Sequence, residues 1–582
     1  MPQAVERITP TVEQLSERLR ELELRVAALE GHPEKPVATE PQLADTALQR
    51  PRPPATWRGF PPAEVPGGTV PVLGKAVLGI AGAYLLRAIA ESGSIPKLPV
   101  LIVAIIYAAL WMVWAVRTHD ASRFASVTYG ITSALILSPL LWESTVRFQV
   151  LSPAFTALVL VAFVVLAMAL SWKHDLQMIP WVATLAAVIT AWALIIATRE
   201  LLPLTTALLA VALATEVAAC LGHRLSLRAV PAISADFAVW LTVYILASPE
   251  GIPEGYHPAS PAALAVLSLA LLVTYGGSIG VRSFGLRQPI TIFEIAQGIL
   301  AFVISTFGGM RATHGSAAPA FGVLFLLLAG VCYWGALSRF AEEAHARNRR
   351  VCATWAAALL LAGSFLVFPV GLQVPFLCLA AVAAVFVYTR TAKLSMGLHA
   401  SFYLAAAAAV SPLASYVASA IAGKVPAAPD WDVWVVAVSA ALCYAIGSRG
   451  SVDQGKRRLL WVVPAGIAGF ATTALLVVSI VWMANGRVEL AASRLSVIRT
   501  IVNCALALAL GFLGSRWRRT ELGWVAYAAV AFGTLKLLFE DLRFGNAASL
   551  VVSLLFYGLI LILLPRLTRR GRSNPETAGI PT

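Results

Sequence analysis

Residues 150–171 read VLSPAFTALVLVAFVVLAMALS, and the chain then turns polar with Lys173, His174 and Asp175. As a helix rising 1.5 Å per residue, such a run crosses the roughly 30 Å hydrocarbon core of a bilayer. Its apolarity is continuous rather than alternating, which argues against the short strands of an outer-membrane barrel. Backbone N–H and C=O groups in lipid must be satisfied inside their own segment, so the run predicts a transmembrane helix.

Working outward, runs of the same kind recur near 71–90, 98–116, 124–142, 178–198, 201–221, 229–248, 260–280, 288–309, 318–337, 351–369, 372–389, 395–422, 432–448, 460–484, 495–514, 523–541 and 548–565. The expectation is an all-α polytopic integral membrane protein of about 18 transmembrane helices within residues 71–566. Pro369, Gly371 and Pro375 crowd one connection, and Pro412 is expected to kink or break the long segment 395–422.

Composition agrees. Of 582 residues, 59% are hydrophobic and 13% charged, and the mean hydropathy is +0.78. A soluble domain carries about 25% charge, so soluble-enzyme folds and disorder are excluded. The net charge of +14 then reads as topology, because Lys and Arg concentrate in short cytoplasmic loops. With the N-terminus inside, the even-numbered loops and the C-terminal residues from Arg566 onward, including the tail 567–582, hold 24 basic residues and the odd-numbered loops hold eight. The reading is N-in and C-in across the inner (cytoplasmic) membrane. The bilayer is the implied partner, and the charge gives no evidence for nucleic acid.

Residues 1–31 form a separate cytoplasmic element. Val12, Leu15, Leu19, Leu22, Val26 and Leu29 recur at alternating spacings of three and four, the a/d pattern of a short coiled coil. Thr9 and Pro10 suit its start and Gly31 its stop. Self-association through residues 10–30 is expected, tethering to the membrane raising the local concentration of a second copy; the alternative is an amphipathic helix on loops or headgroups. Residues 32–70, with Pro51, Pro53, Pro54, Pro61, Pro62 and Pro66, read as a semi-extended linker. Glu6, Glu13 and Glu17 leave no apolar region for a signal peptide in the first twenty residues.

This arrangement, with GKAVLGIAGAYLLRAIAESG at 74–93 opening the helical array, resembles the DUF2339 family of bacterial predicted membrane proteins of unknown function. The resemblance implies a Gly-rich first span followed by many others. It implies no activity and transfers no site residue.

Placing charge in hydrocarbon costs at least a few kcal/mol, so chemistry is sought in the polar residues of the spans. Glu216 lies toward the inner end of one span, and Asp236 and Glu294 six or seven residues inside the starts of two others. Acids at one depth make a candidate ion or proton site; the plainer reading makes them structural, paired with Arg224, Arg228, Arg282 or Arg287 or with Ser and Thr of neighbouring helices. A second candidate, on the outer face, is Arg499, Lys536 and Glu540, able to receive an anionic headgroup; the plainer reading lets the two cations snorkel to the interface.

The six cysteines fall in or at the ends of spans without a CxxC pair and read as small buried residues. Gly79/Gly82, Gly466/Gly469 and Gly511/Gly514 read as helix-packing sites, and Trp111, Trp114, Trp142, Trp172, Trp181 and Tyr256 as interfacial anchors. No phosphate loop, HExxH, Cys/His cluster or GxSxG elbow occurs, so no catalytic residue, metal or cofactor is expected. The classes that remain are a transporter or translocator of an ion, solute or lipid-linked precursor, a non-catalytic envelope scaffold acting through the coiled coil, and an intramembrane transferase. The first is preferred because about 18 spans exceed what an anchor requires; Pro412 and Pro139 are the points where its spans are expected to break.

Overall fold

The computed structural model describes residues 69–92, 95–120, 122–172, 177–222, 228–422, 428–449, 458–485, 492–541 and 547–570. The coiled-coil positions Val12 to Leu29, the linker through residue 68 and the tail beyond 570 lie outside them. Every regular element among the described residues is helical: α1 (Thr69–Ser92), α2 (Lys97–Arg117), α3 (Arg123–Trp142), α4 (Pro153–Trp172), α5 (Met178–Thr198), α6 (Leu201–Cys220), α7 (Ala229–Leu246), α8 (Pro261–Gly280), α9 (Ile292–Ala312), α10 (Ala318–Trp334), α11 (Ala346–Val367), α12 (Val370–Thr391), α13 (Leu394–Val410), α14 (Leu413–Ala422), α15 (Trp431–Gly447), α16 (Val462–Asn485), α17 (Ala492–Arg516), α18 (Thr520–Lys536) and α19 (Ala547–Arg570).

Sixteen of these, several with an appended turn, are long and apolar enough to cross a membrane. α13 and α14 pass the same test only as a pair bent by 68°, and α15 is a shorter apolar helix. Each apolar run read from the sequence is thus a helix or this bent pair. The bend falls at Pro412, whose missing N–H ends the ladder, and Ser411 is extended (ψ 159°). Pro139, by contrast, sits inside α3 without breaking it.

Helix starts follow local chemistry. Ser122 and Ser260 accept from the backbone N–H groups of Ala125 and Ala263 at 3.3 and 3.2 Å, capping α3 and α8. Four described helices end in a π-helical turn: Glu143–Arg147, Val281–Gly285, Gly335–Arg339 and Leu537–Asp541.

Small residues share the packed faces with larger ones such as Leu160, Phe163 and Leu194, and many large side chains point outward. α5 buries Ala183, Ala187 and Ala191 while Ile189 and Ile196 point outward; α4 buries Thr156, Ala157 and Ala167 and exposes Phe155 and Leu158. Large aliphatic side chains on the outside are costly in water and cost-free in lipid, and small interior residues let backbones approach. Gly322 and Gly363 show the approach directly. A Cβ on either would stand 3.0 and 2.9 Å from the other's carbonyl oxygen, where α10 crosses α11. Gly79, Gly82, Gly511 and Gly514 are likewise tight, but Gly466 faces open space and Gly469 makes ordinary contact, so neither requires its glycine for packing.

Apolar cores follow one another along the chain: a large one built mainly by α2–α6, a smaller one in α6–α9, a second large one spanning α11–α16, and one in α17–α19. Trp111 belongs to the first, stacked on Trp114 and edge-on to Tyr129, and is not an interfacial anchor. Trp114, Trp142 and Trp172 are exposed. The six cysteines are free thiols, four buried and two half-buried.

Candidate functional site

The three carboxylates sit on α6, α7 and α9; α7 packs on both of the others, and all three pack on α8. Their environments differ sharply. The helix containing Glu294 begins at Ile292, so Glu294 is its third residue rather than six or seven residues deep. Thr291 and Glu294 form a capping box: the Thr291 hydroxyl accepts from the Glu294 N–H at 3.3 Å, and Glu294 Oε2 accepts from the Thr291 N–H at 2.7 Å. The T-x-x-E spacing at 291–294 is the sequence signal for this.

The other oxygen, Glu294 Oε1, accepts from Arg228 Nη2 at 3.1 Å and from Arg282 Nη1. Arg282 is buried because the π-helical turn after α8 turns it inward, where its Nε donates to Gln288 Oε1 at 3.2 Å. Arg228, the residue before α7, lies over the Phe293 ring at 4.7 Å and stands 3.9 Å from Glu216 Oε2. Glu216 Oε2 also accepts from the Ser278 hydroxyl at 2.5 Å. Two arginines and two glutamates therefore close one end of these helices as a balanced network. The structural pairing expected for Arg228 and Arg282 is present.

Asp236 stands apart from it. It lies eight residues beyond Arg228, about 12 Å along the helix axis at 1.5 Å per residue, and is 2% exposed. Its Oδ2 accepts from Gln297 Nε2 at 2.6 Å. Its Oδ1 has no hydrogen-bond partner among the described residues, and neither does the buried Tyr275 hydroxyl, which is within electrostatic range of both Asp236 and Glu216. Counting formal charges, the site carries three carboxylates against two guanidinium groups, and Asp236 is the carboxylate without a cation.

A small open cleft between α5, α6 and α7, lined by Trp181, Thr184, Thr215 and Arg228, reaches the network. Glu216, Asp236 and Glu294 do not line it. Thr184 Oγ1 and Arg228 Nη1 end in this region without hydrogen-bond partners among the described residues.

The second candidate group is also buried rather than snorkelling. Arg499, 2% exposed, donates from Nε to the Ala420 carbonyl at 2.7 Å and from Nη2 to that of Ser419 at 3.1 Å. It thereby satisfies the last turn of α14, the short half of the bent pair. Lys536, 5% exposed, donates to the Ser496 carbonyl at 3.0 Å and the Thr500 hydroxyl at 2.9 Å. Lys536 thus ties the end of α18 to residues 496–500 of α17, and Arg499, within that stretch, ties α17 to the end of α14. The Glu540 side chain lies outside the described residues.

One polar group escaped sequence reasoning. Tyr333 bridges the Nδ1 of His399, at 2.9 Å, and the hydroxyl of Tyr403, at 2.5 Å, between α10 and α13; Tyr333 is 66 and 70 residues from these two in sequence, beyond any local spacing rule. Among the described residues no group of three or more His, Cys, Asp or Glu side chains is placed to hold a metal. No protein-family model, curated protein or solved structure matches the chain, so the site is read from its geometry alone.

Proposed function

We propose that the protein is a multi-pass protein of the cytoplasmic membrane, with both termini inside, that moves a proton or small cation, using Asp236 as the exchanging group. The observation that supports this is the contrast between Asp236 and the other acids. Glu294 and Glu216 are neutralised by Arg228 and Arg282, whereas Asp236 is buried with one oxygen unpartnered. A buried acid without a cationic partner is stable either protonated and neutral or as a carboxylate with a bound cation, so one group can exchange the two.

The test is transport by the full chain in proteoliposomes carrying a pH-sensitive dye. A proton or alkali-cation flux that Asp236→Asn abolishes supports the reading. Equal flux in wild type and variant sinks it.

A second reading is favoured by the completeness of the Glu294 network and by the absence of any of the three acids from the nearby cleft. In it the cluster is structural and the chain is an envelope scaffold organised by self-association of residues 10–30. No flux in the wild type, together with loss of self-association on Leu19→Glu and Leu22→Glu, would favour the scaffold.

A further inference from the structure

The C-terminal end of α1, where it meets α2 and α3, carries a shallow open groove walled by Leu86, Ala90, Leu101 and Ala104. Its rim is charged. Arg87 pairs with Glu143 at 2.7 Å and with Glu91 at 3.3 Å, and Glu91 receives Arg147 at 2.9 Å. Lys97 also lines the rim, its ammonium 5.1 Å from the centre of the Phe148 ring. It has no ion pair or hydrogen bond among the described residues. The rim thus holds three cations against two carboxylates, with the odd positive charge on the one side chain that no anion meets.

The walls of this groove are apolar and α1 is sparsely covered: of its residues only Ala76 and Gly79 are buried, and Val77, Leu78, Tyr84 and Leu85 are exposed. We propose that this groove binds one anionic phospholipid, its phosphate against Lys97 and Arg87 and an acyl chain along Leu86, Leu101 and Ala104. Charge complementarity selects the ligand. A zwitterionic lipid would bring a second cation to a rim already in positive excess, and a soluble anion would leave the apolar walls empty. On the N-in topology the site opens to the outer leaflet, but the binding chemistry does not depend on Asp236 or on transport.

The test is native mass spectrometry of the delipidated full chain titrated with phosphatidylglycerol, phosphatidylcholine or inorganic phosphate. The expected result is preferential binding of one phosphatidylglycerol. Lys97→Gln should weaken it about fivefold, the worth of one basic side chain at an anionic surface, and Ala90→Trp, which fills the groove, should weaken it further. Arg494→Gln, the same charge change at an exposed position elsewhere, should leave it intact. Lys97→Gln keeps the fold testable because the side chain it alters supports no other residue. Equal affinity for the two lipids, equal loss in Lys97→Gln and Arg494→Gln, or displacement of phosphatidylglycerol by millimolar phosphate would each overturn the proposal.

Discussion

Gln297 donates a 2.6 Å hydrogen bond to Asp236, tying α9 to α7 one turn deeper than the arginine network that Glu294 anchors. The two residues are 61 apart in sequence, and the amide is the only described donor on the carboxyl group. Asp236→Asn keeps an acceptor for Gln297 and removes the ionisable group. Its unfolding midpoint in detergent should equal or exceed that of the wild type, while proton or cation flux is lost. Gln297→Leu leaves both oxygens of Asp236 unpartnered and should cost about 1–3 kcal/mol, read as a lower midpoint in the same assay.

Glu294 receives two guanidinium groups and a backbone N–H. Removing it takes the carboxylate away from Arg282, which is 2% exposed, so Glu294→Ala should destabilise by about 3–5 kcal/mol. Combining Glu294→Gln with Arg282→Met should cost less than the two changes added separately, with a coupling of about 1–3 kcal/mol. Simple additivity would show that the buried pair has no energetic reality.

Arg499 gives the final carbonyls of α14 their donors. Arg499→Ala should cost about 1–3 kcal/mol for the acceptors left without a partner in an apolar setting. Arg499→Lys, able to reach one carbonyl at a time, should recover part of it. Thermal unfolding of the three proteins compares them directly.

Glycine packing separates by position. Gly322→Ala and Gly363→Ala push a methyl group into a facing backbone carbonyl and should each destabilise by about 1–3 kcal/mol. Gly466→Ala meets nothing within 4 Å and should stabilise α16 by about 0.5–1 kcal/mol. The reverse order of midpoints would contradict the α10–α11 crossing.

Topology has its own check. Asp120, in the connection between α2 and α3, and Glu250, between α7 and α8, should lie on opposite sides. In a chain whose native cysteines are replaced by alanine, Glu250→Cys should react with a membrane-impermeant maleimide on intact cells. Asp120→Cys should react only after permeabilisation. Labelling of both from one side would remove the N-in, C-in reading.

The helices themselves were legible because their cause is local. A continuous apolar run in lipid has one way to satisfy its backbone, and VLSPAFTALVLVAFVVLAMALS needs no distant partner to become α4. The break at Pro412 was legible for the same reason, since a missing N–H acts within one turn. The involvement of Glu216, Asp236 and Glu294 could be guessed from charge in apolar surroundings, but their roles could not. Thr291 makes Glu294 a cap, the π-helical turn brings Arg282 inward, and Gln297 reaches Asp236 from another helix.

The sequence by itself determined that the chain is a series of apolar helices, roughly where each lies and that one breaks at Pro412, although it also expected a break at Pro139 and an earlier start for the helix of Glu294. Only the tertiary structure decided that two of the three acids are neutralised by arginines, that Asp236 is not, and that Arg499 and Lys536 are buried rather than reaching to the interface. The physical reason is range. Backbone satisfaction and hydropathy act within a segment, whereas the state of a buried charge is set by whichever side chains the packing of separate helices brings within a few ångströms.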